Sequence, residues 1–227
     1  MADGFDFNTG YLECVQRIST ATRGARVGTT RVAACPAWTV RDLVGHLAGL
    51  AEDWIEGNLD GYAGDAWTSA QIRRHRTAGL VELLDLWASL ARGLVALPDH
   101  PDLGPPARWA FGDALVHEAD VAESLGSDQQ PPIGAVSTHL SAGLSRWSPQ
   151  LAKASIHLRV TSSEGRTWEV GADPGTTTLT VTASAYNLWR AVYGRRTRTA
   201  FAALTWSEDP AVVLAVGLPY PFVFPAL

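Results

Sequence analysis

The sequence is poor in cysteine, in basic charge and in long apolar runs. It has 2 cysteines, and its 18 lysines and arginines are outnumbered by 23 aspartates and glutamates, which gives a formal net charge of −5. Two cysteines do not make a disulfide framework, so we expect a reduced, cytoplasmic protein in which Cys14 and Cys35 are small buried side chains. The acidic balance argues against a nucleic-acid partner, because such a partner needs a basic face.

Signals for a membrane or for secretion are also missing. No run approaches the roughly 20 apolar residues that span a bilayer, so we expect no membrane partner. The opening MADGFDFNTG lacks the basic flank and apolar core of a signal peptide, so we expect no secretory leader. The sequence does have 46% hydrophobic residues, 18% charged residues and 9 tryptophans, which is typical of a globular protein with a sizeable core.

Helical patterns fill roughly the first 125 residues. The spacing predicts a helix around residues 11–18, a second that begins at Thr39, a third over residues 68–97 and a fourth that begins near Arg108. Thr39 followed three residues later by Asp42 has the form of a capping box. Four helices in this order predict a four-helix bundle.

The pattern changes after "GSDQQPPIG". A connecting helix over residues 136–147 is expected to end near Pro149, and three strands follow in "ASIHLRVTS", "TWEV" and "TTTLTVTA". A short helix then begins after Ser184 and stops at Gly194, and another begins at Pro210. The sequence therefore predicts an α+β protein, with a helical bundle over residues 1–150 and a small α/β domain over residues 151–227.

One helix carries a candidate half of a metal site. Asp113 and His117 in "FGDALVHEADVAESLG" are four residues apart, so both side chains lie on one face and can hold one ion. The alternative is an ordinary polar stripe at positions 113, 117, 120 and 124 that faces solvent.

His46 supplies the candidate other half. It lies beside the apolar face of its helix, and Gly45 and Gly49 leave room around it for a ligand or a close helix contact. The alternative is a core histidine satisfied by one hydrogen bond. Two imidazoles and the Asp113 carboxylate suit Zn²⁺ or another divalent metal, and three protein ligands leave a coordination position open, as in catalytic sites.

Three segments, "CPAWTVRDLVGHLAG", "DALVHEADV" and "LWRAVYGRRTRTAFAALTW", resemble the mycothiol-dependent maleylpyruvate isomerase family. The resemblance implies a DinB-like metal-binding four-helix bundle followed by a sterol-carrier-like α/β domain. It also implies that His46, Asp113 and His117 are the metal ligands and the catalytic centre. The family pattern has glutamate where this chain has Asp113, which is one methylene shorter and would draw the ion towards this helix.

The resemblance also points to arginines that bind the substrate or the thiol. Arg190, Arg195 and Arg196 match the family's R-x-x-x-G-R-R segment, and Arg76 lies in a region where similar isomerases place a substrate-binding arginine. Guanidinium groups hold carboxylates bidentately. The alternatives are structural ion pairs for the first three and a surface basic cluster around Arg76.

The function that these expectations favour is a mycothiol S-transferase. Coordination to zinc lowers the pKa of a thiol, so that the sulfur of mycothiol is a thiolate at neutral pH and can attack a small electrophile. The alternatives are a mycothiol-dependent cis–trans isomerase of the maleylpyruvate type, a non-catalytic small-molecule-binding protein, and a metal-dependent hydrolase. We expect small-molecule partners only, in a monomer or homodimer.

Overall fold

The structure is a computed structural model, and it describes residues 4–24, 26–175, 177–219 and 221–225. It confirms the α+β class, with helices first and a small sheet in the C-terminal part. Contacts within the chain form two units, one of Phe5–Pro131 and one from Pro132 onward. No described helix is long and apolar enough to cross a membrane.

The first unit is built around four long helices. Its elements are α1 (Phe7–Thr22), a 3₁₀ turn (Val27–Thr29), β1 (Arg31–Val32), β2 (Cys35–Thr39), α2 (Val40–Glu56), α3 (Asp65–Arg74), α4 (Leu80–Leu94) and α5 (Pro106–Ser124). Helix α2 packs on α4 and α1 packs on α5, while β1 and β2 form an antiparallel pair. The four-helix bundle is therefore confirmed, with the shorter α3 added against α2.

The start of α2 is fixed by the predicted capping box. The Thr39 hydroxyl accepts from the Asp42 backbone N–H, and the Asp42 carboxylate accepts from the Thr39 backbone N–H at 3.0 Å. This arrangement satisfies backbone donors that the first turn of a helix otherwise leaves unpaired. Helix α2 ends at Gly57, which adopts the left-handed conformation at φ 73°.

The single helix predicted over residues 68–97 is wrong, because the chain breaks between α3 and α4. The Arg41 guanidinium binds the carbonyls of Ala78 and His75 in this break, the first at 2.9 Å. The Gly79 N–H donates to the Glu82 carboxylate, and this hydrogen bond caps the start of α4. A contact with the distant α2 and a local cap at Gly79 therefore both mark the break.

The second unit is a four-stranded sheet with helices. Its elements are α6 (Ile133–Lys153), β3 (Ile156–Ser162), β4 (Thr167–Gly171), β5 (Thr177–Ala183), α7 (Ala185–Val192), α8 (Arg198–Ala202), β6 (Thr205–Trp206) and α9 (Ala211–Val216). The strand order is β4-β3-β5-β6, in which β3 and β5 are parallel and the other two pairs are antiparallel. Ser184 caps α7 and Pro210 precedes α9, as predicted.

Helix α6 does not end near Pro149, as the sequence predicted, but continues to Lys153. Proline within a helix removes one hydrogen bond. Here Trp147 and Leu151, on either side of it, are both fully buried, and α6 packs on β3 and β4. This burial outweighs the lost bond. Helix α6 groups with the second unit, and the division into domains 1–150 and 151–227 stays a prediction.

Candidate metal centre

The structure brings together the three predicted ligands in the first unit. Helix α2 places His46 against α5, which carries Asp113 and His117 one turn apart. His46 Nε2 lies 2.8 Å from Asp113 Oδ2, and His117 Nε2 lies 3.7 Å from Asp113 Oδ1. One ligand atom from each side chain lies within 4.8 Å of the other two. Both histidines are 4% exposed, so the cluster lies inside the bundle.

The alternative of a solvent-facing stripe on α5 is wrong. His117 is buried and Asp120 is fully buried at 0% exposure. Helix α5 packs against α1, α2 and β1, so most of its circumference is covered. Its polar side chains therefore need internal partners.

Asp120 is the partner of the second ring nitrogen of His117. Its Oδ2 lies 2.9 Å from His117 Nδ1. A carboxylate accepts only, so Nδ1 carries the proton and Nε2 keeps its lone pair. This role was not predicted from the sequence, although three-residue spacing on one helix is a signal that could have indicated it.

Gln71 is the corresponding partner of His46. Its Oε1 lies 2.7 Å from His46 Nδ1, and its Nε2 donates to Asp53 Oδ2 at 2.7 Å. Neither residue was predicted from the sequence. Gln71 reaches His46 only through the packing of α3 on α2, and no local spacing signals that contact.

The arrangement fits a divalent cation. With Nδ1 of both imidazoles turned towards oxygen acceptors, the Nε2 atoms are the ones available to a cation, and His46 Nε2 lies 2.8 Å from the Asp113 carboxylate. A cation between them satisfies both. Burial lowers the pKa of His46, but the Asp113 carboxylate and the hydrogen bonds to it and to Gln71 raise that pKa by more, so the net shift is upward. Two nitrogens and one carboxylate oxygen suit Zn²⁺ and several other divalent metals.

Two further side chains of β2 lie beside the cluster. The Trp38 ring centroid is 5.2 Å from that of His46 and 5.8 Å from that of His117. Cys35 is half-buried rather than buried as expected, and its sulfur lies within 4.8 Å of ligand atoms of His117 and Asp120. Cys14 is buried as expected.

The predicted arginines are spread over both units. Arg76 is exposed and follows α3, whereas Arg190 is fully buried in α7 with its guanidinium 5.7 Å from the Trp189 ring. Arg195 and Arg196 are half-buried just after α7, and each donates to a backbone carbonyl. Their role in binding a substrate or thiol stays a prediction.

Residues 16–123, which include all three candidate ligands, match the family model described as the mycothiol maleylpyruvate isomerase N-terminal domain. The first unit is therefore similar to this N-terminal domain over most of its length. The resemblance stated from the sequence is thereby confirmed for the part of the chain that holds the candidate metal centre. No curated protein matches the chain.

Two solved structures share the fold. A crystal structure of the mycothiol-dependent maleylpyruvate isomerase has a TM-score of 0.61 at 15% identity, and the match covers 89% of this chain and 92% of that one. A histidine-to-alanine mutant of that isomerase gives a TM-score of 0.60 at 14% identity, with the same coverage. At this identity the similarity establishes the fold, and it extends over most of the chain.

Proposed function

We propose that this protein is a metal-dependent enzyme that uses mycothiol, and that it catalyses a cis–trans isomerisation of the maleylpyruvate type. The observation that carries the proposal is the His46, Asp113 and His117 cluster within a domain of the mycothiol maleylpyruvate isomerase family. The fold shared with the solved isomerase favours this alternative over the S-transferase that the sequence analysis put first.

Each residue of the cluster has a role in this proposal. His46, Asp113 and His117 would hold the cation, and three protein ligands leave a position for the thiol. A bound divalent cation would supply a lowered thiol pKa, so that the sulfur is a nucleophile at neutral pH. Asp120 and Gln71 would accept the Nδ1 protons of the two imidazoles and orient the rings, so that the Nε2 atoms are left for the cation.

The proposed substrate is a small unsaturated carboxylate. Its conjugated double bond accepts the thiol sulfur, rotates as a single bond and re-forms when the sulfur leaves, so the thiol is regenerated. Arg76, Arg190, Arg195 and Arg196 are our candidates for its carboxylates or for the thiol, because planar guanidinium groups match carboxylate geometry. Zinc as the metal, a cytoplasmic location and a monomer or homodimer belong to the same proposal.

The test is metal analysis of the purified protein, followed by turnover of maleylpyruvate with a catalytic amount of mycothiol. The expected result is one divalent cation per chain and many product molecules per thiol, with no sulfur adduct by mass spectrometry. Asp113→Asn should lose metal and turnover, while Glu123→Gln changes an exposed carboxylate of the same helix and should lose neither.

Three results would contradict the proposal. Stoichiometric consumption of thiol into product would indicate an S-transferase, and turnover without any thiol would indicate hydrolysis by a metal-bound water. A chain that carries no metal, and in which His117→Ala changes nothing, would be a binding protein.

A further inference from the structure

The amide of Gln71 connects a candidate metal ligand to a buried carboxylate. Gln71 is 0% exposed and Asp53 is 1% exposed. The two side chains and His46 form a continuous row, with 2.7 Å between Asp53 Oδ2 and Gln71 Nε2 and 2.7 Å between Gln71 Oε1 and His46 Nδ1. Buried side-chain amides have no solvent to satisfy them, so the direction of each bond in this row matters.

The hydrogen bonds of Asp53 set the orientation of the Gln71 amide. Asp53 accepts from the Arg74 guanidinium at 2.6 Å and from the Asn58 amide at 3.0 Å, both at Oδ1. Its Oδ2 therefore accepts from Gln71, which turns the amide nitrogen towards Asp53 and the amide oxygen towards His46. An oxygen at this place requires the proton of the imidazole on Nδ1. Nε2, which faces Asp113, is then the ring nitrogen left to bind a cation.

The backbone is adapted to this contact at Gly49. A Cβ on Gly49 would lie 2.6 Å from Gln71 Cβ, which is closer than side-chain atoms approach, and 3.1 Å from Gln71 Cα, which is a tight contact. Any larger residue at this place on α2 would therefore push Gln71 or α3 away.

We propose that Gln71 is a positioning residue that selects the metal-binding tautomer of His46, and that Asp53 acts through it by fixing the direction of the amide. The proposal rests on the proposed metal site. The two imidazoles differ in this proposal. The Asp120 carboxylate accepts directly from His117, whereas at His46 the neutral amide of Gln71 lies between the imidazole and the Asp53 carboxylate.

The experiment uses the full chain and two measurements. Long-range ¹H–¹⁵N spectra of histidine-labelled protein without metal report which ring nitrogen carries the proton. Titration with Co²⁺, followed by its visible absorption, reports affinity and ligand geometry. In the unaltered chain we expect His46 and His117 both to be protonated at Nδ1.

Gln71→Leu and Asp53→Asn remove the relay at its middle and at its far end. We expect each to remove the proton from His46 Nδ1, to leave His117 unchanged and to weaken Co²⁺ binding roughly 10- to 100-fold, as loss of such partners does elsewhere. Gln16→Leu on the exposed face of α1 is the control and should change neither measurement.

The double variant Gln71→Glu with Asp53→Asn exchanges the two groups. The new carboxylate accepts from His46 Nδ1 and from the amide nitrogen introduced at position 53, while the amide oxygen at that position accepts from Arg74 and Asn58. Every hydrogen bond of the row is re-formed, so we expect the His46 tautomer and Co²⁺ affinity to return to within a few-fold of the original. A residue that merely fills space would give no such rescue.

The proposal is overturned if Gln71→Leu keeps the His46 proton on Nδ1 and binds Co²⁺ as before, or if the double variant is no better than Asp53→Asn. The proposed function fails separately, if His46→Ala leaves Co²⁺ binding unchanged. In that case the spectra without metal still show whether Gln71 sets the tautomer.

Discussion

At the scale of single residues, the candidate centre depends on carboxylates with unequal tasks. Asp113 is about one-third exposed in its side chain and faces both Nε2 atoms, while Asp120 is fully buried and lies 2.9 Å from Nδ1 of His117. The first is a candidate ligand and the second orients a ligand. Their exposures agree with this difference, because an open coordination position needs access to solvent and an orienting group does not.

Replacing Asp120 should therefore weaken metal binding without removing a ligand. For Asp120→Asn, whose amide oxygen can still accept from Nδ1, we expect about a 10-fold loss of Zn²⁺ affinity. For Asp120→Ala we expect a loss nearer 100-fold. Competition with a chromophoric chelator measures both, and equal affinities for Asp120→Ala and the original protein would refute the assignment.

Asp113→Glu restores the residue that the family pattern carries. The longer side chain moves its oxygens away from the α5 backbone, so we expect a cation to be retained with an altered Co²⁺ absorption spectrum. Asp113→Asn removes the charge and should lose most of the affinity. Identical Co²⁺ spectra for Asp113→Glu and the original protein would indicate that Asp113 is not a ligand.

At the scale of secondary-structure elements, two positions on α2 control how the helix begins and what packs on it. The Thr39–Asp42 capping box begins α2 seven residues before His46, and Gly49 receives α3 one turn after His46. Changes at either end therefore test whether the placement of α2 and α3 matters to the site.

Gly49→Ala should displace α3 from α2. The new Cβ meets Gln71 Cβ at 2.6 Å, and we expect a loss of about 1–3 kcal/mol in the free energy of unfolding together with weaker Co²⁺ binding. Gly45→Ala is the matched control one turn earlier, where the nearest atoms lie at 3.6 and 3.7 Å. Its Cβ fits, so stability should be unchanged or slightly higher.

Stability conferred by the capping box should depend on pH. Burial raises the pKa of Asp42, but hydrogen bonds from Thr39 and the Arg41 charge lower it by more, and the net pKa lies below its ordinary value of 3.8. The contribution of ionised Asp42 to the free energy of unfolding is therefore complete well above pH 3.8. It disappears as the pH falls through the lower pKa of the folded state. Urea unfolding of Asp42→Asn and the original protein should give a difference that narrows in this acidic range. A difference that is constant between pH 7 and pH 3 would contradict it.

Local patterns account for what the sequence predicted at this scale. Capping residues, helical spacing and strand alternation act over a few residues. They therefore allowed α2, α5, β3 and the pairing of Asp113 with His117 to be predicted from the sequence. The roles of Gln71 and Asp53 could not be predicted in this way, because each depends on a contact between segments distant in sequence. The break before Gly79 was missed although the Gly79–Glu82 cap is local, and Arg41 of α2 adds a contact that no local pattern shows. The predicted end of α6 near Pro149 was wrong because the burial that keeps this helix intact comes from the sheet.

At the scale of the whole molecule, a metal that joins α2 to α5 is also a stabilising ligand. A cation that binds the folded state at 100 times its dissociation constant adds about 2.7 kcal/mol to the free energy of unfolding. We expect a chelator to lower the melting temperature of the first unit and Zn²⁺ to restore it, as followed by fluorescence of its buried tryptophans. His46→Ala should melt at one temperature with or without Zn²⁺, and a chelator effect that persists in this variant would point to a different site.

Helix α3 has a consequence for how fast an ion leaves. It spans 10 residues, of which only Trp67 and Gln71 are buried, so we expect it to detach locally at a much lower free energy than the bundle unfolds. Each detachment frees the His46 ring to turn away. The residence time of the metal should then follow the opening rate of this one helix, and amide hydrogen exchange in α3 should slow when the ion is added. Ion exchange in a bundle whose core stays closed would thus be governed by its smallest helix.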